Sequence, residues 1–185
     1  MSLLADYRTH TDERATLGVT PLALTADQVA DLVELLKASP IADSDFAMEL
    51  FTQKVPAGVD DAAYVKAAFL NDIVQGNASC DAIDAVKATE ILGTMLGGFN
   101  VAPLVDALKA GGAVAESAAN QLKNTLLVYD SFNDVKALMD EDNAIAKEIV
   151  ESWANAEWFK KNPAIQKDRM LTVYNIQEET TTNHL

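Results

Sequence analysis

The sequence predicts an all-α protein, a HEAT-like stack of helical hairpins followed by one short C-terminal β-strand. Three observations predict it. Apolar residues recur at three- and four-residue steps in segment after segment. Short runs rich in Gly, Pro, Asp, Asn and Ser join those segments. Residues 90–109, EILGTMLGGFNVAPLVDALK, hold a helix end, a turn and a helix start in one stretch.

The elements follow in order. Thr25 and Gln28 make a capping box, and Val29, Leu32, Val33 and Leu36 form the apolar face of a helix that stops before Pro40. Asp43 or Ser44 starts the next, with Phe46, Leu50 and Phe51 inward, and Val55-Pro56-Ala57-Gly58 closes it. Asp60 caps a third, in which Val65, Phe69 and Ile73 recur until Gly76. Asp84 caps a fourth, closed by Glu90, Ile91, Leu92 and Met95, where Gly97 and Gly98 supply a left-handed cap. Asn100 then caps a helix with Val101, Leu104, Val105 and Leu108 on one stripe and Pro103 in its first turn, where no N–H is needed. After Gly111-Gly112 a helix carries Val114, Ala118, Leu122 and Leu126, and Tyr129-Asp130-Ser131 turns the chain. Val135, Leu138 and Met139 mark a short helix, and Ile145, Ile149, Trp153 and Ala156 a longer one ending near Asn162-Pro163.

Short, paired helices on small loops are the layout of a right-handed stack of hairpins, with a compact bundle as the rival. A radius of gyration above roughly 16 Å would favour the stack. After Pro163 the pattern changes: residues 170–177, MLTVYNIQ, alternate like a strand, and a lone strand is unstable. The expected division is a helical domain over residues 1–162 and, over 163–185, a linker and the first strand of a truncated second domain.

Composition bounds the function. The 185 residues are 49% hydrophobic and include no run of about 20 apolar residues that could span a membrane. Asp6 and Arg8 interrupt the N-terminus where a signal peptide needs its apolar core, so the chain reads as cytoplasmic. The 28 acidic residues outnumber the 14 basic ones for a net charge of −14, which repels nucleic acid and anionic membranes. One window is locally basic, with Lys160, Lys161, Lys167 and Arg169 against Asp168; a solvated junction is the simpler reading, an anion or RNA contact the other.

No catalytic, cofactor-binding or metal-binding residue emerges. Gly93 to Gly98 has the glycine spacing of a phosphate loop, but Phe99 and Asn100 replace its Lys and Ser/Thr. Asp140, Asp142 and Glu151 fit positions one, three and twelve of a calcium loop, yet Ala144 and Ile145 stand where a ligand and the turning glycine belong. Acidic helix capping accounts for them, and for Asp60-Asp61. His10 and His184 lie at opposite ends of the chain. Cys80, the single cysteine, sits in a loop with acidic neighbours that blunt its nucleophilicity and cannot form an internal disulfide. Trp153, Trp158 and Phe159 cluster at the end of the last helix, as a contact with a neighbouring domain would.

Several words of this sequence carry a resemblance. They are Pro56 to Ala67 (PAGVDDAAYVKA), Glu90 to Asn100 (EILGTMLGGFN), Lys123 to Leu127 (KNTLL), Ser152 to Phe159 (SWANAEWF) and Leu171 to Tyr174 (LTVY). In that order along nearly the whole chain, they resemble the N-terminal region of the bacterial aconitase B family. Leu96, Phe99 and the loop from Asn77 to Asp84 depart from the pattern. The resemblance implies a full-length hydro-lyase of the tricarboxylic acid and methylcitrate cycles that interconverts citrate and isocitrate through cis-aconitate. It also implies hydration of 2-methylaconitate, with a [4Fe-4S] cluster as Lewis acid.

The same resemblance implies that the cluster cysteines and substrate-binding residues lie beyond this chain, that Cys80 matches none of them, and that 163–185 opens a mobile swivel domain. It implies partners as well: the remaining domains of the same enzyme, a second copy in a homodimer, and mRNA for the cluster-free form. Two functional expectations result. In one, the chain is an interaction and access domain of such an enzyme, without chemistry of its own. In the other, it is a stand-alone helical adaptor or RNA-binding regulator on the same scaffold.

Overall fold

Thr25 sets the first boundary that can be checked. Its hydroxyl accepts from Gln28 N at 3.3 Å while Gln28 Oε1 accepts from Thr25 N at 3.0 Å, so the capping box forms in both directions. The computed structural model in which this is seen describes residues 2–38, 43–125 and 131–156.

All regular elements among the described residues are helical. They are α1 (Leu3–Thr16), α2 (Ala26–Lys37), α3 (Ser44–Gln53), α4 (Asp61–Val74), α5 (Ala85–Gly93), α6 (Val101–Ala107) with a 3-10 turn at Leu108–Ala110, α7 (Gly112–Leu122), α8 (Phe132–Asp140) and α9 (Ala144–Asn155). The strand expected at 170–177, the domain boundary at 162, the turn at Tyr129-Asp130, Leu126, Trp158, Phe159 and the basic window Lys160 to Arg169 lie outside the described residues.

Each helix packs on its near neighbours along the chain. The α2 helix rests on α1, α3 and α4; α4 on α5; α5 on α7; and α7 on α9, with α6 against α4, α5 and α7 and α8 against α9. One continuous core runs through them from Leu4 to Trp153. The predicted stripes supply it: Val29, Leu32, Val33 and Leu36 of α2 and Val101, Leu104, Val105 and Leu108 of α6 and its 3-10 turn are all buried. The close α5–α7 contact uses small residues, Ala88 facing a helix with Ala115, Ala118 and Ala119 all buried. The hydroxyls of Thr89 and Ser117 are hydrogen-bonded across this pair at 2.6 Å.

The structure departs locally from these expectations: Asp60 holds the N-cap position of α4 without a side-chain cap hydrogen bond, and α9 ends at Asn155 with Ala156 extended, short of the expected end near Asn162-Pro163. The α1 helix has no apolar stripe to announce it: Leu4 and Tyr7 alone are buried, and tertiary ties hold the rest, Tyr7 Oη donating to Leu22 O at 2.7 Å and Arg8 pairing with Asp43 at 2.8 Å. The α5 helix ends at Gly93 with Thr94 as its C-cap in a right-handed conformation, so Met95 lies past it and Gly97-Gly98 are not its cap. Between α8 and α9 the side chain that caps is Asn143, accepting from Ala146 N at 3.0 Å, while Asp140 pairs with Lys136. Trp153 is 3% exposed and belongs to the core, its Nε1 donating to Leu122 O at 2.9 Å.

Candidate functional site

The most distinctive local construction lies where the α3–α4 and α5–α6 connections cross. Leu96 N and Gly97 N both donate to Ala57 O, at 2.8 and 3.2 Å, which draws the two loops backbone to backbone. A Cβ at Gly97 would lie 1.9 Å from Gly58 O, so only glycine allows the crossing. Gly98 follows at φ +95, a conformation that L side chains rarely adopt.

Asn100 fixes this loop from beneath. It occupies the N-cap position of α6, but its side chain makes no cap to that helix. It is 1% exposed, and Nδ2 donates to Leu92 O at 3.0 Å and Met95 O at 3.1 Å. The residue expected to start α6 thus donates back to the end of α5, to Met95 O and to Leu92 O, which Met95 N also reaches at 3.1 Å. The pattern Gly-Gly-Phe-Asn signalled a special turn; the direction in which Asn100 donates depends on the tertiary fold and was not in the sequence.

On this crossing stands an apolar surface. Val59 is 76% exposed, Leu96 73% and Tyr64 59%. The Tyr64 ring meets Phe99 edge to face at 5.4 Å, which ties the start of α4 to the α5–α6 loop. Tyr64 also lines a groove of about 340 Å³ between α2 and α4, with Val33, Val65 and Phe69 along it and Asp31, Glu34, Lys37 and Asp72 around it. A second groove of about 460 Å³ lies between α6 and α8, lined by Val105, Leu138 and Ala102 with Asp106, Lys109, Asp134 and Glu141.

Lys66 is the one charged side chain among the described residues that is buried, at 2% exposure. Its Nζ stands 5.3 Å from the Phe51 ring centre, and burial pushes its pKa down to about 8. Elsewhere, burial and then Glu49 push the Tyr7 hydroxyl up, and the hydrogen bond from Arg8 holds the Asp43 carboxyl below the usual range.

The residues considered for chemistry are dispersed. Cys80 is half-buried in the α4–α5 loop, where its carbonyl accepts from Ile83 N. His10 Nε2 accepts from Leu22 N at 3.1 Å, which ties α1 to the loop after it. Gly93 to Gly98 is the end of α5 and its connection, and a Cβ at Gly93 would meet the Gln121 side chain at 2.1 Å. Among the described residues, no three His, Cys, Asp or Glu side chains stand together as metal ligands. None of the described helices is long and apolar enough to cross a membrane.

Similarity to known proteins now bears on this scaffold. The Aconitate B N-terminal domain family matches residues 6–159. Aconitate hydratase B of Pseudomonas aeruginosa is 48% identical over 183 residues, that of Escherichia coli 45% over 183, and that of Helicobacter pylori 44% over 183. These alignments cover 98–99% of this chain but 21% of each relative, so the chain spans about a fifth of the length of the curated relatives it matches. A match over most of the chain at this identity is decisive: the chain belongs to the Aconitate B N-terminal domain family.

Proposed function

We propose that this chain is the N-terminal interaction and access domain of an aconitate hydratase B, without catalytic residues of its own. The enzyme would interconvert citrate and isocitrate through cis-aconitate and hydrate 2-methylaconitate. The observation that carries this reading is the asymmetry of the match, nearly the whole of this chain against about a fifth of each relative.

The donor set supports it. A [4Fe-4S] cluster is held by several cysteine thiolates, and this chain has Cys80 alone. The residues present do not fit the cluster, which belongs to the remaining four-fifths of such an enzyme. What the domain supplies is a rigid helical scaffold. Its packing order, each helix on near neighbours, favours a HEAT-like stack, since nearest-neighbour contact is what stacked hairpins share.

Other parts of the reading rest on the resemblance: a cytoplasmic homodimer, a swivel domain opening with the strand at 170–177, and mRNA contact by the cluster-free form through Lys160, Lys161 and Lys167. The test is an assay of the 185-residue chain for isocitrate turnover and bound iron, alongside the reading frame beyond Leu185. Neither turnover nor iron is expected, and the frame should continue into cluster cysteines. Turnover by the chain alone, or a stop codon after Leu185, would falsify the reading and favour a stand-alone adaptor.

A further inference from the structure

We infer that residues 2–22 form an arm, α1 with the stretch folded back along it, that opens from the domain as one unit while α2 to α7 stay packed. Arg8 is its catch, and raised ionic strength loosens it.

The arm is consolidated by bonds within itself. Tyr7 Oη donates to Leu22 O at 2.7 Å, Leu22 N to His10 Nε2 at 3.1 Å, Arg14 Nε to Thr20 O at 2.9 Å, and Val19 N to Arg14 O at 3.1 Å. Tyr7, His10 and Arg14 stand at i, i+3 and i+7, on one side of α1, so a single polar stripe holds residues 20–22 by their backbone. The boundary is sharp. Two residues on, Leu24 is 2% exposed and its N–H donates to Lys54 O at 2.8 Å, which places it in the body of the domain.

Little joins the arm to that body. Among the described residues the polar tie that crosses is Arg8, which pairs with Asp43 at 2.8 Å and lies 4.3 Å from the Phe46 ring centre. Both ends of the ion pair are about half exposed, so salt screens it. Leu4 and Tyr7 are buried, whereas Leu17, Val19 and Leu22 face solvent. Each of α2 to α7 buries three or more side chains, so α1 has the smaller foothold. An element with few buried apolar contacts opens at a lower free energy than the core, and one bonded to itself opens as a unit. Opening bares Phe46 and the end of the core that Leu4 and Tyr7 close.

The experiment is hydrogen exchange read by mass spectrometry on the full-length gene product at constant pH. It compares low salt with about 1 M NaCl, where the screening length falls to about 3 Å. Peptides from α1 should be protected less than those of α4 and α5 by about tenfold or more. Arg8→Gln should speed exchange of the arm about two- to fivefold and leave α4 and α5 unchanged. Asp43→Asn should do the same, since Asp43 makes no side-chain cap to α3 and Asn suits that N-cap position. High salt should speed the arm in the parent but not in Arg8→Gln. An arm as protected as α4 and α5 would overturn the inference. So would a substitution that speeds α4 and α5 along with the arm, an arm that responds to neither substitution, or an equal salt response in the parent and Arg8→Gln.

Discussion

Gly97 and Gly58 meet backbone to backbone: a side-chain carbon on Gly97 would lie 1.9 Å from the Gly58 carbonyl oxygen, and the neighbouring amides bond to Ala57 O. The crossing of two hairpin loops therefore depends on the absence of one methyl group. Gly97→Ala should cost about 2–4 kcal/mol, because the atom it strikes is backbone and the crossing hydrogen bonds must lengthen. Gly98→Ala, with no neighbour within 4 Å but φ +95, should cost about 1 kcal/mol from strain alone. Urea unfolding of both variants checks the order, and equal losses would contradict it.

Asn100 gives a second prediction. Asn100→Ala takes the donor from Met95 O, while Leu92 O keeps Met95 N at 3.1 Å, and should destabilise by about 1–3 kcal/mol. Asn100→Asp keeps the shape but loses both donors and aims a carboxylate at carbonyl oxygens, so it should cost more. Were Asn100 merely the N-cap of α6, Asp would be tolerated as a good cap. The relative stability of these two variants in urea decides which role it has.

Trp153 tests the tie between α9 and α7. Trp153→Phe keeps most of the apolar volume and removes the donor to Leu122 O, for about 1–2 kcal/mol. Trp153→Ala empties the site and should cost about 3–5 kcal/mol. Thermal unfolding read by circular dichroism separates the two.

Lys66 makes stability pH-dependent in a predictable direction. Its folded pKa of about 8 lies below the ordinary 10.5, so between those values the unfolded chain binds the proton and the folded chain does not. Its contribution to stability therefore rises with pH across that window, and below pH 8 the buried charge is a standing cost. Lys66→Met should raise stability at pH 7 by about 1–3 kcal/mol and gain less over the parent at pH 10. An advantage that does not shrink from pH 7 to pH 10 would contradict the assignment.

What was legible in the sequence was the periodic part. The stripes of α2 and α6, the Thr25–Gln28 box and the Asp84 cap could be read directly, because local spacing and local hydrogen bonds determine them. The α1 helix was not legible, since its order comes from Tyr7 and Arg8 reaching other segments rather than from a stripe. Asn100 and Trp153 were placed correctly along the chain but given the wrong partners, because a side chain's direction in a helical stack is a tertiary property. The apolar surface escaped notice for the same reason. Val59, Tyr64, Leu96 and Phe99 are strung over forty positions and meet only when the Gly97 crossing brings their loops together.

The most direct test of the domain's place in a larger enzyme is a paired isocitrate assay of the full-length gene product, loaded with its iron–sulfur cluster, and of the 185-residue chain treated identically. Turnover by the full-length protein and none by the chain is the predicted result. Turnover by the chain, or its absence from the loaded full-length protein, would contradict it.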